Sequence, residues 1–253
     1  MKLAYLTFLV ALSAISAAAA SDIDITAERR VEWHQKSQKM VATGNAVASK
    51  DDMTVKADTL TGYYGKNGAK SSITRVTAEG NVRMSSAKAR AFGDNLDYDL
   101  VKDEAVLVGK PAKIDTGTET ITAEDSITYY PQQQKAIALG NVSAVDKEQN
   151  KLYSDKMVAY FVKDNTKAQN LTLQKVDIFG NVKIIAKDTT VTADKGTYLP
   201  QEGLIRLFDN VSISQDGNVL HGDKAETDLN TGISKLLSGS PKNRVKGVFK
   251  EKK

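Results

Sequence analysis

The feature that most constrains this chain is a phrase it repeats. Gly80-Asn81-Val82 returns as Gly140-Asn141-Val142 and Gly180-Asn181-Val182, and with one change as Gly44-Asn45-Ala46 and Asp209-Asn210-Val211. Some 14 to 16 residues after each stands a small residue followed by Asp: Ala57-Asp58, Gly93-Asp94, Ser154-Asp155, Ala193-Asp194 and Gly222-Asp223. A weaker copy runs from Gly109-Lys110-Pro111 to Glu124-Asp125, which makes about six units. A period of roughly 30 to 40 residues marks a stacked architecture, in which each unit buries its apolar face only against its neighbours.

Between these phrases the apolar residues alternate with polar ones. Asp22-Ile23-Asp24-Ile25-Thr26, Met53-Thr54-Val55, Val82-Arg83-Met84, Ile127-Thr128-Tyr129, Val182-Lys183-Ile184 and Val211-Ser212-Ile213 all show the period of a half-buried strand. No window carries a helical apolar stripe with caps, so the fold class is all-β. Parity then adds a detail. A hydrophobe often lies three residues before each Asp (Val55, Ala91, Leu152, Val191, Leu220), whereas after it the apolar positions fall two and four later (Leu60, Leu96, Tyr98, Ile127, Tyr129, Met157, Ala159, Tyr198). Odd before and even after implies one extra residue at the small-residue–Asp pair, hence a bulge or bend that keeps one face inward. Each unit reads as strand, corner, strand, with each Asp bonded to the backbone of its own turn. Gly-Asn fits a tight bend that needs positive φ.

The inward row contains many small residues, among them Ala46, Ala48, Ala78, Ala138 and Ala144. Two readings follow: room left for apolar cargo, or a thin core packed in the ordinary way.

Catalytic patterns are missing. There is no cysteine, and the two histidines, His34 and His221, stand far apart without ligand-spaced neighbours. No nucleophile elbow, phosphate loop or metalloprotease helix occurs, and the recurrent Asp is better explained by architecture than by acid–base chemistry. The reading is a non-enzyme without cofactor or metal. Formal net charge is +4, from 35 basic and 31 acidic residues interspersed along the chain, so a nucleic-acid surface is not indicated. Trp33 reads as a half-buried packing residue, or alternatively as a ligand platform.

The two ends differ from the rest. Residues 1–20 have a basic start at Lys2, an apolar run from Leu3 to Ile15 and the small residues Ala17 to Ala20, the pattern of a cleaved secretory signal peptide. An uncleaved anchor is the alternative. Residues 21–241 hold the repeats, and residues 242–253 form a basic tail, read as a solvated terminus or as a lip for phosphate groups.

Repeated Gly-Asn-Val, then Ala-Asp or Gly-Asp, then Tyr a few residues on, behind a signal peptide, resembles the LptA/OstA family of periplasmic lipopolysaccharide-transport proteins. Asp22-Ile23-Asp24-Ile25, Gly109-Lys110-Pro111-Ala112-Lys113-Ile114 and Gly222-Asp223-Lys224-Ala225 with Arg244-Val245 resemble its first strand, middle and closing repeat. The resemblance implies an open, twisted β-jellyroll of short antiparallel strands. It implies a Gram-negative periplasmic bridge that shields lipid A acyl chains in an apolar groove between inner and outer membranes. Implied partners are lipopolysaccharide, further copies head to tail, and LptC-like inner-membrane and LptD-like outer-membrane proteins joined by edge strands. By position it implies Ile23, Ile25, Ile114 and Tyr129 as lipid-facing. Parity also places Tyr129 inward and adds Val82, Met84, Leu96, Tyr98, Ile127, Val182, Ile184 and Ile213. Against the carrier stand a cargo-free β-solenoid scaffold and a membrane-anchored component of the same route.

Overall fold

A computed structural model describes residues 23–67, 70–164, 170–231, 233–239 and 244–248. The leader-like segment and most of the basic tail lie outside the described residues. Among the described residues every regular element is a strand. In chain order these are β1 (Asp24–Thr26), β2 (Arg30–His34), β3 (Lys39–Lys50), β4 (Met53–Asn67), β5 (Lys70–Ser85), β6 (Arg90–Asp99), β7 (Glu104–Val108), β8 (Ala112–Asp115) and β9 (Glu119–Ala123). They continue as β10 (Ser126–Tyr130), β11 (Lys135–Asp146), β12 (Lys151–Asp164), β13 (Asn170–Ala186), β14 (Thr189–Leu199), β15 (Leu204–Gln215), β16 (Asn218–Asp228), β17 (Ile233–Leu237) and β18 (Lys246–Val248).

Each long strand changes register half-way along: between Thr43 and Ala46, Glu79 and Val82, Leu139 and Val142, Phe179 and Val182, and Phe208 and Val211. The strand therefore turns a corner there and contributes one half to each of two walls. The first wall runs β2, β3, β4, β5, β6, β7, β10, β11 and on through β16 to β17. The second starts at β1, shares the long strands, passes through β8 and β9 in the middle, and ends at β18. In the middle the corner interrupts the strand outright, at Gly109-Lys110-Pro111 between β7 and β8 and at Glu124-Asp125 between β9 and β10. The strand–corner–strand reading thus holds, and Lys246–Val248 of the basic segment joins the second wall.

The corners explain the repeated phrase. Gly180 and Asn181 both have positive φ, +73° and 48°. A Cβ at Gly180 would land on the carboxylate of Asp155, which reaches in from the neighbouring strand. The Asn181 amide donates to that carboxylate at 2.9 Å. The same clamp recurs from Asn81 to Asp58 at 2.9 Å and from Asn210 to Asp194 at 2.7 Å, and with Glu as acceptor from Asn45 to Glu28 and Asn141 to Glu124. This corrects the expectation that each Asp ties down its own turn. Asp58, Asp155 and Asp194 tie their strand to the next. Where Asp209 replaces the glycine, its carboxylate meets Lys195 Nζ at 2.8 Å.

Among the described residues no pairing joins the β1/β2 end to the β17/β18 end, so the wrap is open, not a closed barrel. Among the described residues, no helix is long and apolar enough to cross a membrane, and no group of three or more His, Cys, Asp or Glu side chains is placed to hold a metal ion.

Candidate lipid-binding interior

Strand pairing lines up the inward residues into rows that cross the whole wrap. On the first wall one row reads Val31, Ala42, Leu60, Ala78, Leu96, Leu107, Ile127, Ala138, Met157, Ile178, Gly196, Leu207, Ala225, Leu236. Nearer the free lip a second row includes Trp33, Met40, Gly62, Val76, Tyr98, Ala105, Tyr129, Ala136 and Tyr198. The second wall carries Ile25, Ala48, Val55, Met84, Ala91, Ile114, Ile121, Ala144, Leu152, Ile184, Val191, Ile213 and Leu220. The positions three before and two or four after Asp58, Asp94, Asp155, Asp194 and Asp223 fall on these rows, as parity requires.

Of the expected lipid-facing residues, Leu96 and Ile127 share the first row. Tyr98 and Tyr129 share the second, while Ile25, Met84, Ile114, Ile184 and Ile213 share the third. Val82 and Val182 sit at corners, both 1% exposed. Ile23 precedes β1 and is 42% exposed, so the structure does not bring it onto a row. Leu107, Ile121 and Ile178 belong to the same rows and were missed. Ile121 in Ile121-Thr122-Ala123 and Ile178 in Val176-Asp177-Ile178 carry the alternation that would have found them, whereas Leu107 lies in the continuous apolar run Ala105-Val106-Leu107-Val108, which does not tell the two faces apart.

Burial varies along the rows. On the second wall Met84, Ala91, Ile114, Ile121 and Ala144 are all under 9% exposed, whereas Ile25, Ala48, Val191 and Ile213 are only partly covered. The middle is filled by the protein's own side chains. Large residues stand beside small ones, Ile127 by Ala138 by Met157, so the alanines make room for neighbours instead of leaving a trough. Buried apolar side chains of this size contribute about 1.5–3 kcal/mol each.

A cavity of about 20 Å³ remains between the two walls, lined by Met53 and Met84 on one side and Leu96, Tyr98, Ala105, Tyr129 and Pro131 on the other. That is space for about one water molecule. Burial, reinforced by the negative charge of Asp103, pushes the Tyr98 hydroxyl up to about 12 and raises Tyr129 as well. Both phenols stay neutral at physiological pH.

The ends expose their apolar residues. Val31 is 48% and Trp33 69% exposed at one end, Ile233 55% and Leu237 48% at the other. Trp33 is not the half-buried packing residue expected; its ring stacks on Tyr64 with centroids 5.8 Å apart.

Comparison with known proteins decides what such an interior belongs to. The family described as LptA/(LptD N-terminal domain) LPS transport protein matches residues 24–135 and 120–233. The chain belongs to that family. The two overlapping matches span nearly the whole wrap. It is a transport family, not an enzyme family. No curated protein matches the chain. Among solved structures, the crystal structure of LptH, the LptA homologous periplasmic component of the conserved lipopolysaccharide transport device from Pseudomonas aeruginosa, is similar at 15% identity. It covers 91% of this chain and 96% of that one with a TM-score of 0.23, so the fold of this chain rests on its own strand pairing.

Proposed function

We propose that this family member is a periplasmic bridge that carries lipopolysaccharide, holding lipid A acyl chains between its two walls while the sugars remain in water. The observation that carries this reading is the end-to-end continuity of the three apolar rows. Each acyl methylene withheld from water is worth about 0.8 kcal/mol. A chain of about twelve carbons therefore gains on the order of 10 kcal/mol by entering. Because the middle is filled, entry must part the walls. The cost is moderate, since the displaced side chains exchange contacts with one another for contacts with the acyl chain and stay dry. The leader-like residues 1–20 and the family's transport role support a periplasmic location. Ile25, Val191 and Ile213, only partly covered by the protein's own side chains, support an interior with apolar surface to spare for an acyl chain.

The ends support head-to-tail assembly and joining to LptC-like and LptD-like proteins. Thirteen antiparallel links separate β2 from β17 along the first wall. An odd number leaves the two edge strands running in opposite directions, so a second copy adds by antiparallel pairing, the mode of strand addition at open edges. Continuing the rows sets Leu236 beside Val31 and Lys235 beside Glu32 of the next copy.

One observation favours a cargo-free scaffold instead: the central interior is packed by its own side chains. Binding of lipopolysaccharide to the purified protein separates the two. The carrier binds, and Ile25→Asp or Ile213→Asp weakens binding at least tenfold while the circular-dichroism spectrum stays unchanged. Undetectable binding by the wild-type protein supports the scaffold. The mass of the secreted chain tests the anchored alternative, which retains residues 1–20.

A further inference from the structure

The cavity between the walls has a composition unlike the rest of the interior. Its second-wall side is two methionines, Met53 on β4 and Met84 on β5, and its first-wall side includes Tyr98, Tyr129 and, at the turn after β10, Pro131. The three rows elsewhere are mainly alanine and branched aliphatics. Methionine is unbranched and soft, and it adapts to irregular partners and packs well on aromatic edges. The cavity also sits at the boundary between dry and wet: Met84 and Tyr129 are buried at 8% and 2%, whereas Met53, Tyr98 and Pro131 are partly exposed. Here both walls contribute, packing is incomplete, and solvent is adjacent.

We infer that this methionine–tyrosine seam is a side entrance, an initial binding site where the end of a single saturated acyl chain wedges between the lips and starts to part the walls. The inference rests on the carrier reading above. Strand pairing at the β1/β2 and β17/β18 ends leaves the lips between them uncovered along the length of a stacked bridge. The methionines swing aside without breaking a hydrogen bond or exposing a charge. The tyrosine rings supply flat apolar walls, and the missing packing atoms are those the acyl chain provides. Tightly packed positions such as Ile114 and Ile121, at 1% and 0% exposure, offer no such start.

The chain contains no cysteine, so a pair introduced at the seam is the sole reactive pair. The test joins Met53→Cys to Tyr98→Cys with a short bis-methanethiosulfonate linker, which staples one wall to the other and is removed by reductant. The same double-cysteine protein with each thiol capped separately by methyl methanethiosulfonate is the control. The probe is 11-(dansylamino)undecanoic acid, whose emission rises in apolar surroundings. The expected result is at least a tenfold loss of affinity in the cross-wall staple relative to the capped protein, and recovery after reduction. Unchanged binding across the cross-wall staple overturns the side entrance and leaves the carrier reading standing. A wild-type protein that binds no probe overturns both.

Discussion

The side-chain amide of Asn181 donates to both carboxylate oxygens of Asp155, at 3.2 and 2.9 Å, across a strand boundary 26 residues apart in sequence. The two halves of the repeated phrase are thus one device. The glycine before Asn181 leaves out the atom that would collide with the carboxylate, and the carboxylate in turn fixes the strand shift that bends both strands together. Repeated along the chain, these clamps hold two walls at a common corner with their apolar rows facing inward.

Breaking one clamp tests this directly. Asn181→Ala removes an exposed, charge-assisted hydrogen bond and is expected to cost about 1–2 kcal/mol. Gly180→Ala should cost more than Asn181→Ala, because it combines a positive φ with a collision against Asp155. Urea unfolding gives the order, and a Gly180→Ala protein as stable as wild type would contradict the corner account.

The alternation of large and small side chains predicts a second asymmetry. Met157→Ala opens a void in a fully buried row position and should cost about 2–5 kcal/mol. Ala138→Leu, which crowds Ile127 and Met157, should cost about 1–3 kcal/mol. Were the interior a loose trough, Ala138→Leu would be neutral in thermal melts.

Tyr98 supplies a pH signature. Its hydroxyl is raised from 10.0 to about 12, mainly by burial and then by Asp103. The folded state therefore holds that proton more tightly than the unfolded chain. The contribution to stability is fully present below pH 10 and is lost as pH climbs from 10 towards 12. Ultraviolet difference titration of wild type against Tyr98→Phe should show one late-titrating phenol vanish. A difference centred near pH 10 would contradict the burial.

The proposed joint predicts charge-dependent assembly. Lys235→Glu should shift the protein towards monomer in analytical ultracentrifugation, and adding Glu32→Lys should restore association. Leu236→Cys with Val31→Cys should give disulfide-linked ladders, whereas Leu236→Cys with Glu32→Cys, one residue out of register and on the opposite face, should not. Equal ladders from both pairs would rule out this register.

Much of this architecture is legible in the sequence, because period-two alternation and a parity change are local signals. Val55, Leu60 and Tyr98 fall on one face by parity alone, since a strand offers only two. What parity cannot supply is the partner across the boundary. Asp155 reads as a residue serving its own turn, and nothing in the sequence shows that its carboxylate occupies the space left by Gly180. Nor does composition tell whether Ala138 faces a void or nestles between Ile127 and Met157, because that depends on which strands are neighbours. Ile23 is placed by likeness to a first strand, but β1 begins only at Asp24.

The most direct measurement is photo-crosslinking of lipopolysaccharide from a photoreactive residue at position 25 or 213, near opposite ends of the second-wall row, with Val101 as an outside reference at 78% exposure. The account predicts lipopolysaccharide adducts at 25 and 213 and none at 101. No adduct at either row position, or equal labelling at all three, would contradict it.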